Sequence, residues 1–467
     1  MKFIQKNIYH LIIPLILLLI TSNLFSNISI LPLDIDELFT LNILYMNDLY
    51  KIIKFGNILD NHPPLYHLIM YFFTQIFGLS EYIIRIPSVI FTVISFYLVF
   101  VLAKKLFSPV CGLISFIITI ILIPNPWITY LARGYSLLLL LSILTMIFLT
   151  NIISYKVTNK EKFVPFISLF YFIISSLLCM YTHYFGCILV LSEILFLFLF
   201  FHKNIIKELI IIILSLISLY APWLLISFPK KAVLISPDFV EWINWNAFGN
   251  YNPYILISLI VIGIICNLYI LIKYGYDKHK TKYSFFLILY LFIFPFLLTV
   301  FINKFIAGCY QHKYLIISLI PFYILIADTF VILFKNKIIL ILTLIIFYLL
   351  SAQNVSLPNH FTEYYLNFVI NNHNKTGKPI IIIDKYDMFD KYYKYHFDKY
   401  STNENIIFVN DFDENEIIKE TNKAVTKNNN QYIWLFDSTS IYDIKAVSDN
   451  KKVIVFNEEL PSVYLVK

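Results

Sequence analysis

The chain has 467 residues, of which 59% are hydrophobic and 14% charged, with a mean hydropathy of +0.75. Soluble domains carry about 25% charged residues, so a soluble globular protein is excluded and a polytopic membrane protein is the class that fits. The formal net charge of +7 does not mark a nucleic-acid binder, because the lysines lie between apolar spans, where they serve topology.

Lys2 and Lys6 precede the apolar stretch 11–30, which is long enough to cross a bilayer and is followed by no small-residue cleavage site. It reads as an uncleaved first helix rather than a signal peptide. Directly after it comes 32-PLDIDELFTL-41, with Asp34, Asp36 and Glu37 close together. Next, 59-LDNHPPLYHLIMYFF-73 places Asp60, His62 and a double proline ahead of an apolar run. The segment 63–78 is marginal for a span, and counting it as one would invert the lysine pattern downstream. It is predicted as an interfacial helix on the outer leaflet, started by Pro63 and Pro64, whose missing N–H groups cost nothing at a helix N-terminus.

Apolar runs at 9–30, 83–103, 110–126, 134–154, 163–181, 184–201, 207–228, 253–272, 283–302, 314–334 and 337–352 predict about eleven spans of roughly 20 residues each. Lys104 and Lys105, then Lys156, Lys160 and Lys162, then Lys203 and Lys207, fall in alternate connections. So do Lys273, Lys278, Lys280 and Lys282, and finally Lys335 and Lys337. With Lys2 and Lys6 they define one side, which the positive-inside rule makes the cytoplasm. The opposite side receives 32–41, the HPPLYH segment, 130-YLARGYS-136, 181-YTHYFG-186, the loop 229–252 and 308-GCYQHKY-314. Polar and ionisable residues delivered to one membrane face by many helices predict an assembled site.

From Ser351 the chain turns polar, with apolar runs at 379–384, 405–410, 431–436 and 452–457 and helix-like stretches at 385–397 and 413–425. Strands alternating with helices predict a small α/β domain with a partly parallel sheet. Its one glycine, Gly377, offers no phosphate-cradling loop. The fold class is therefore mainly α: a polytopic transmembrane helix bundle (1–352) with juxtamembrane helices in the first outer loop, plus a C-terminal extracytoplasmic α/β domain (353–467). Cys111, Cys179, Cys187, Cys266 and Cys309 show no CxxC spacing and read as small core residues.

The order 36-DE-37, 60-DNHPPLY-66, 77-FGLSEYIIRIPS-88 and 132-ARGYSLLLL-140 resembles the first third of polytopic glycosyltransferases of the C superfamily. The pattern is similar to that of the bacterial protein O-mannosyltransferase-like and lipid A aminoarabinose transferase-like members. Farther along, 183-HYFG-186 and 312-HKYLIISLIPFYILIA-327 look like later landmarks, so the resemblance covers about residues 9–350. Such enzymes move a sugar from a polyprenyl-phosphate donor to a glycan, lipid or protein acceptor at the outer face of the membrane. The resemblance implies a bundle whose first outer loop carries juxtamembrane helices, in a bacterial cytoplasmic (inner) membrane. The family's first-loop acidic pair falls on Asp36 and Glu37, with Asp36 as general base. Two departures stand out. Relatives often carry an acidic residue two positions before the arginine of the ARGY-like motif, where this chain has Leu131; and Lys313 stands where they often have arginine, exchanging a bidentate fork for a point charge.

Transfer from a lipid phosphate needs a base for the acceptor hydroxyl and positive groups for the leaving phosphate. A single first-loop base suits an inverting displacement; the plainer alternative for Asp34, Asp36 and Glu37 is a solvated, helix-capping cluster. Arg133 is the expected phosphate ligand, with Lys313 and Arg85 behind it, although headgroup snorkelling also accounts for an arginine such as Arg85. Asp60, His62, Tyr135, His183 and Tyr314 are the remaining substrate-binding candidates, against structural roles for the two histidines. The Trp-rich 241–254 is an acceptor-holding segment or an interfacial aromatic belt. No cofactor is implied beyond a possible divalent cation, for which no ligand spacing argues. The competing class is a transporter or lipid-linked sugar flippase, which would place ionisable residues within spans; Glu193 and Asp328 are the candidates for that.

Overall fold

The computed structural model of the chain describes residues 2–30, 35–59, 62–123, 126–159, 162–227, 265, 282–305, 312–334 and 341, and five strands between 380 and 466. In chain order the helices are α1 (Lys2–Ile30), α2 (Ile35–Tyr45), α3 (Leu49–Leu59), α4 (Leu65–Phe77), α5 (Glu81–Leu106), α6 (Pro109–Leu122), α7 (Pro126–Thr129), α8 (Tyr135–Thr158), α9 (Phe166–Thr182), α10 (Tyr184–Ser227), α11 (Lys282–Phe305) and α12 (Ile316–Leu333). The chain divides into two units: Met1–Leu31 with Asp48–Ser356, and Pro32–Asn47 with Leu357–Lys467.

The first unit is helical. Its α5 starts where Ser80 Oγ accepts the Ile83 N–H and ends after Lys104 and Lys105. One turn later Ser108 Oγ caps α6 through the Cys111 N–H, with Pro109 in the first helical position. Serine caps and an N1 proline are strong start signals, so these two boundaries follow from local chemistry. Gly112 lets the α5–α6 hairpin close, since a Cβ there would lie 2.8 Å from the Phe100 carbonyl oxygen.

Although α10 is helical over its 44 residues, it does not run straight. In a straight helix Cys187 and Tyr220 would lie about 50 Å apart at 1.5 Å per residue. Yet Cys187 Sγ donates to Tyr220 Oη at 3.6 Å, and Tyr181 Oη donates to the Leu219 carbonyl at 2.9 Å. The element folds back near Asn204, and the predicted spans 184–201 and 207–228 are its two arms. A buried ion pair sits at the bend. Lys156 Nζ, from the last turn of α8, lies 2.7 Å from Glu208 Oε1, both side chains being almost fully buried. The same ammonium donates to the carbonyls of Lys162 (2.9 Å) and Asn204, and Glu208 Oε1 also accepts the Val164 N–H at 3.0 Å. Lys156 is therefore not the free connecting-loop charge expected from the sequence; its charge is consumed in tying α8, the α9 approach and the α10 bend together.

Among the described residues, five helices are long and apolar enough to cross a membrane by length and composition: Glu81–Leu106, Tyr135–Thr158, Tyr184–Ser227, Tyr283–Ile302 and Ile316–Leu333. Shorter apolar helices occupy Ile12–Ile28, Leu65–Phe77, Pro109–Leu122 and Phe166–Thr182. The expected spans 253–272 and 337–352 lie outside the described residues, apart from single helical residues at 265 and 341. Both α8 and α12 are buried on nearly every side. The α10 arms instead expose Phe200, Ile210, Leu214, Ile217 and Leu225, the apolar outer surface that hydrocarbon would meet. The segment 63–78 forms the short α4, which buries Tyr66, His67, Met70 and Thr74 and exposes Phe72, Ile76 and Phe77.

In the second unit, β1 (Ile380–Ile383), β2 (Ile406–Val409), β3 (Ile433–Asp437), β4 (Val453–Val455) and β5 (Val463–Val466) form one sheet in the order β2-β1-β3-β5-β4. Pairs β1·β2 and β1·β3 are parallel, and β5 runs antiparallel to both β3 and β4. The first four strands coincide with the four apolar runs, and β5 is an addition that the sequence pattern did not single out. The helix-like stretches 385–397 and 413–425 lie outside the described residues. The helix α2 belongs to this unit and buries Glu37, Thr40, Leu41, Ile43 and Leu44.

Candidate functional site

The loop 130–134 leads into α8 and is fixed from α5. Thr92 Oγ1 donates toward the carbonyls of Ile128 (3.3 Å) and Thr129 (2.8 Å), the buried C-terminal acceptors of the short α7. A tight turn follows, with the Arg133 N–H donating to the Leu131 carbonyl at 2.7 Å. Arg133 is only 4% exposed, and its guanidinium carbon sits 6.0 Å from the centroid of the Tyr135 ring. A buried arginine over an aromatic face is held by cation–π attraction; it does not snorkel to a headgroup layer.

The second contribution comes from the α9–α10 junction. His183 is the single extended residue between the two helices, and its N–H closes α9 on the Cys179 carbonyl. Its Nδ1 accepts the Phe185 N–H at 3.1 Å. The junction is this tight because residue 186 is glycine, where a Cβ would fall 2.3 Å from the Cys179 carbonyl oxygen.

His62, just ahead of α4, and Tyr314, in the 3₁₀ turn His312–Leu315 before α12, complete the cluster. The His183 ring lies 4.5 Å from His62, 4.6 Å from Tyr314, 5.9 Å from Tyr135 and 5.6 Å from Phe185, centroid to centroid. Tyr314 in turn lies 5.9 Å from Tyr135 and 5.0 Å from Phe185. His62 and Tyr314 are half-buried and form the open side, whereas Tyr135 and His183 are buried. The α4 side is tied to α5 by a 3.1 Å hydrogen bond between Tyr66 Oη and Ser88 Oγ.

Five expected site residues, His62, Arg133, Tyr135, His183 and Tyr314, thus meet at one end of the helical unit, the end opposite the Lys156–Glu208 pair. Asp60 lies outside the described residues, as does the loop 229–252; the backbone of Lys313 lies in the 3₁₀ turn, with its side chain outside the description. Asp36 falls within α2, likewise without its side chain, and Asp34 is outside the described residues; Glu37 is buried in the second unit. Arg85, expected as a reserve phosphate ligand or a snorkelling charge, is fully buried and donates to the Ile28 carbonyl at 3.3 Å. It serves the C-terminal end of α1, where carbonyls lack helical partners. Phe185 and Thr92 were not singled out from sequence. Phe185 lies inside the quoted HYFG stretch, so the signal was present; nothing in the spacing of Thr92 on α5 announces its part. Among the described residues no group of three or more His, Cys, Asp or Glu is placed to hold a metal ion.

Residues 61–226 match the model of the dolichyl-phosphate-mannose-protein mannosyltransferase family. Over that stretch the resemblance to the C-superfamily glycosyltransferases holds. The matched stretch contains His62, Arg133, Tyr135 and His183, and leaves out Asp36 and Tyr314. The fold is similar to that of ArnT from Cupriavidus metallidurans in the apo state, with TM-score 0.51, 9% identity and 97% of each chain covered. It is similar also to the same protein bound to undecaprenyl phosphate, with TM-score 0.52, 10% identity and 98% of each chain covered. The archaeal oligosaccharyltransferase AglB from Archaeoglobus fulgidus, in complex with an inhibitory peptide and a dolichol-phosphate, aligns at TM-score 0.46 and 13% identity, over 92% of this chain and 70% of that one. No curated protein sequence matches. At these identities the likeness to the solved structures is one of fold.

Proposed function

We propose that the chain transfers a sugar from a polyprenyl-phosphate-linked donor to a glycan, lipid or protein acceptor at the extracytoplasmic face of a bacterial cytoplasmic membrane. The observation that carries this reading is the convergence of His62, Arg133, Tyr135, His183 and Tyr314, from separate segments, at one end of an apolar helical unit. The family match over 61–226 supports a mannosyltransferase-like reaction. The undecaprenyl phosphate held by one protein of similar fold supports a polyprenyl phosphate carrier.

In this reading Arg133 engages the lipid phosphate. A buried guanidinium presents a planar fork of donors to phosphate oxygens, and the charge that grows on the leaving phosphate during transfer is stabilised by it. Lys313 adds a point charge. The rings of Tyr135, His183 and Tyr314 offer apolar faces and polar edges, a lining suited to a sugar. Asp36 takes the proton of the acceptor hydroxyl, with Glu37 beside it, and Asp60 holds substrate hydroxyls. One base suffices because the departing group is already a phosphate, so a single inverting displacement follows. The division at 352/353, the eleven-span bundle and the C-terminal α/β domain belong to the same proposal.

The test gives purified full-length protein a panel of polyprenyl-phosphate sugars with candidate acceptors, alongside Asp36→Asn and Arg133→Lys. Transfer is expected from at least one donor, lost in Asp36→Asn and weakened in its dependence on donor concentration in Arg133→Lys. Undiminished transfer in a folded Asp36→Asn would remove the base assignment. Movement of sugar-lipid across vesicles without any transfer would replace the enzyme reading with a flippase.

A further inference from the structure

We infer that His183 is held as a neutral imidazole carrying its proton on Nε2, and that it acts as a fixed hydrogen-bond donor to a phosphate oxygen of the lipid substrate. The inference rests on the proposed reaction for its substrate and on geometry for its chemistry. His183 is the N-cap of α10. The first helical residue is Tyr184, and the side-chain Nδ1 accepts the N–H of Phe185, the second helical residue, at 3.1 Å. This is the bond that Ser, Asp or Asn makes at a helix start, made here by a ring nitrogen. A nitrogen that accepts an N–H cannot carry a proton itself. The ring's single proton is therefore on Nε2.

The surroundings hold that state in place. His183 is 3% exposed, so a second proton would bring a buried charge. The start of α10 opposes that charge and the end of α9, capped by the same residue, favours it, which leaves burial and the Nδ1 bond to decide. The starts of α4, α8 and α12 meet the same cluster through His62, Tyr135 and Tyr314. The starts of four helices and the Arg133 guanidinium thus meet in one small volume, together with the C-terminal end of α9 that His183 caps; the guanidinium is a full positive charge there. An anion is the ligand chemistry such a field favours. In that field His183 contributes as a donor and is unavailable as a base, so proton removal from the acceptor falls to a residue elsewhere. Its ring also fixes the entry of α10, which makes its orientation independent of substrate.

Two isosteric changes separate these roles. In His183→Asn the amide oxygen occupies the Nδ1 position and can keep the Phe185 N–H, with no donor at the Nε2 position. In His183→Gln the amide N–H reaches toward the Nε2 position and the cap bond is lost. Undecaprenyl phosphate is titrated into the detergent-solubilised full chain, with phosphatidylglycerol as the competing phosphate source, and thermal unfolding is followed in parallel. A hydrogen bond to a charged group contributes about 1.5–3 kcal/mol, so His183→Asn is expected to bind undecaprenyl phosphate roughly 10- to 100-fold more weakly at an unchanged unfolding temperature. His183→Gln should bind within about threefold of wild type and unfold at a lower temperature. Wild-type binding in a folded His183→Asn overturns the donor role. Equal binding of phosphatidylglycerol, or no binding of undecaprenyl phosphate by wild type, overturns the carrier reading beneath it. A third measurement needs no variant. In the wild-type protein labelled with ¹⁵N-histidine, one ring should keep the Nε2–H form between about pH 5 and 8 and shift on addition of undecaprenyl phosphate. A response confined to titrating rings refutes the inference.

Discussion

The ion pair at the α10 bend offers the sharpest test of the packing. Lys156 Nζ and Glu208 Oε1 are 2.7 Å apart, with side-chain exposures of 2% and 3%. At an effective dielectric of about 20, that separation corresponds to a gross attraction of about 6 kcal/mol, most of which offsets the desolvation of two ions. Removing one partner is a different matter. In Glu208→Ala the ammonium stays buried with only the carbonyls of Lys162 and Asn204, and the Val164 N–H loses its acceptor. The expected cost is about 3–5 kcal/mol. The helical unit, Met1–Leu31 with Asp48–Ser356, is larger than the domains that shift by roughly 2–4 °C per kcal/mol, so at about 1.4 °C per kcal/mol the unfolding temperature should fall by about 4–7 °C. Fluorescence-monitored thermal unfolding in detergent reads this directly. Lys156→Met combined with Glu208→Leu removes both charges and should recover the part of the loss that comes from the unpaired charge, while the Val164 N–H and the Lys162 and Asn204 carbonyls stay without partners from this pair. A double variant as unstable as Glu208→Ala would refute the reasoning, since the loss could not then come from an unpaired charge. An unchanged unfolding temperature in Glu208→Ala would refute it equally.

Gly186→Ala sets a Cβ 2.3 Å from the Cys179 carbonyl oxygen, backbone that cannot swing aside. It should cost at least about 1–3 kcal/mol and displace His183, read as a lower unfolding temperature together with weakened lipid-phosphate binding. Glu193, buried within the bundle, accepts the Thr145 hydroxyl at 2.9 Å, and Glu193→Gln presents the same carbonyl acceptor without ionisable chemistry. Sugar transfer should stay within about twofold of wild type in that variant, about 0.4 kcal/mol on the scale where tenfold is 1.4. A transporter that uses the carboxyl for ion coupling would instead lose its activity.

Much of the architecture is written in local chemistry. Ser80, Ser108 and Pro109 announce helix starts, the double proline 63–64 announces α4, and apolar runs of spanning length announce the bundle. What escaped is what depends on partners distant in sequence. The reversal near Asn204 was legible as the connection between the spans 184–201 and 207–228; that helical backbone continues through it was not. Lys156 looks like any connecting-loop lysine until Glu208, 52 residues later, is brought against it. Arg85 resembles a snorkelling arginine until the Ile28 carbonyl appears beside it.

The same division holds at the candidate site. The residue types were legible: an arginine at a helix start, and histidines beside prolines and tyrosines. Those features follow from the energetic cost of placing charge in hydrocarbon, which is a property of each segment by itself. The meeting of His62, Tyr135, His183 and Tyr314 within one ring cluster is a matter of packing, because residues up to 252 positions apart (from 62 to 314) become neighbours only when their helices assemble. The proton state of His183 is the clearest case. Its sequence neighbours include Phe185, but only the extended backbone between α9 and α10 aims that N–H at Nδ1, and hydrogen-bond direction decides which nitrogen keeps the proton.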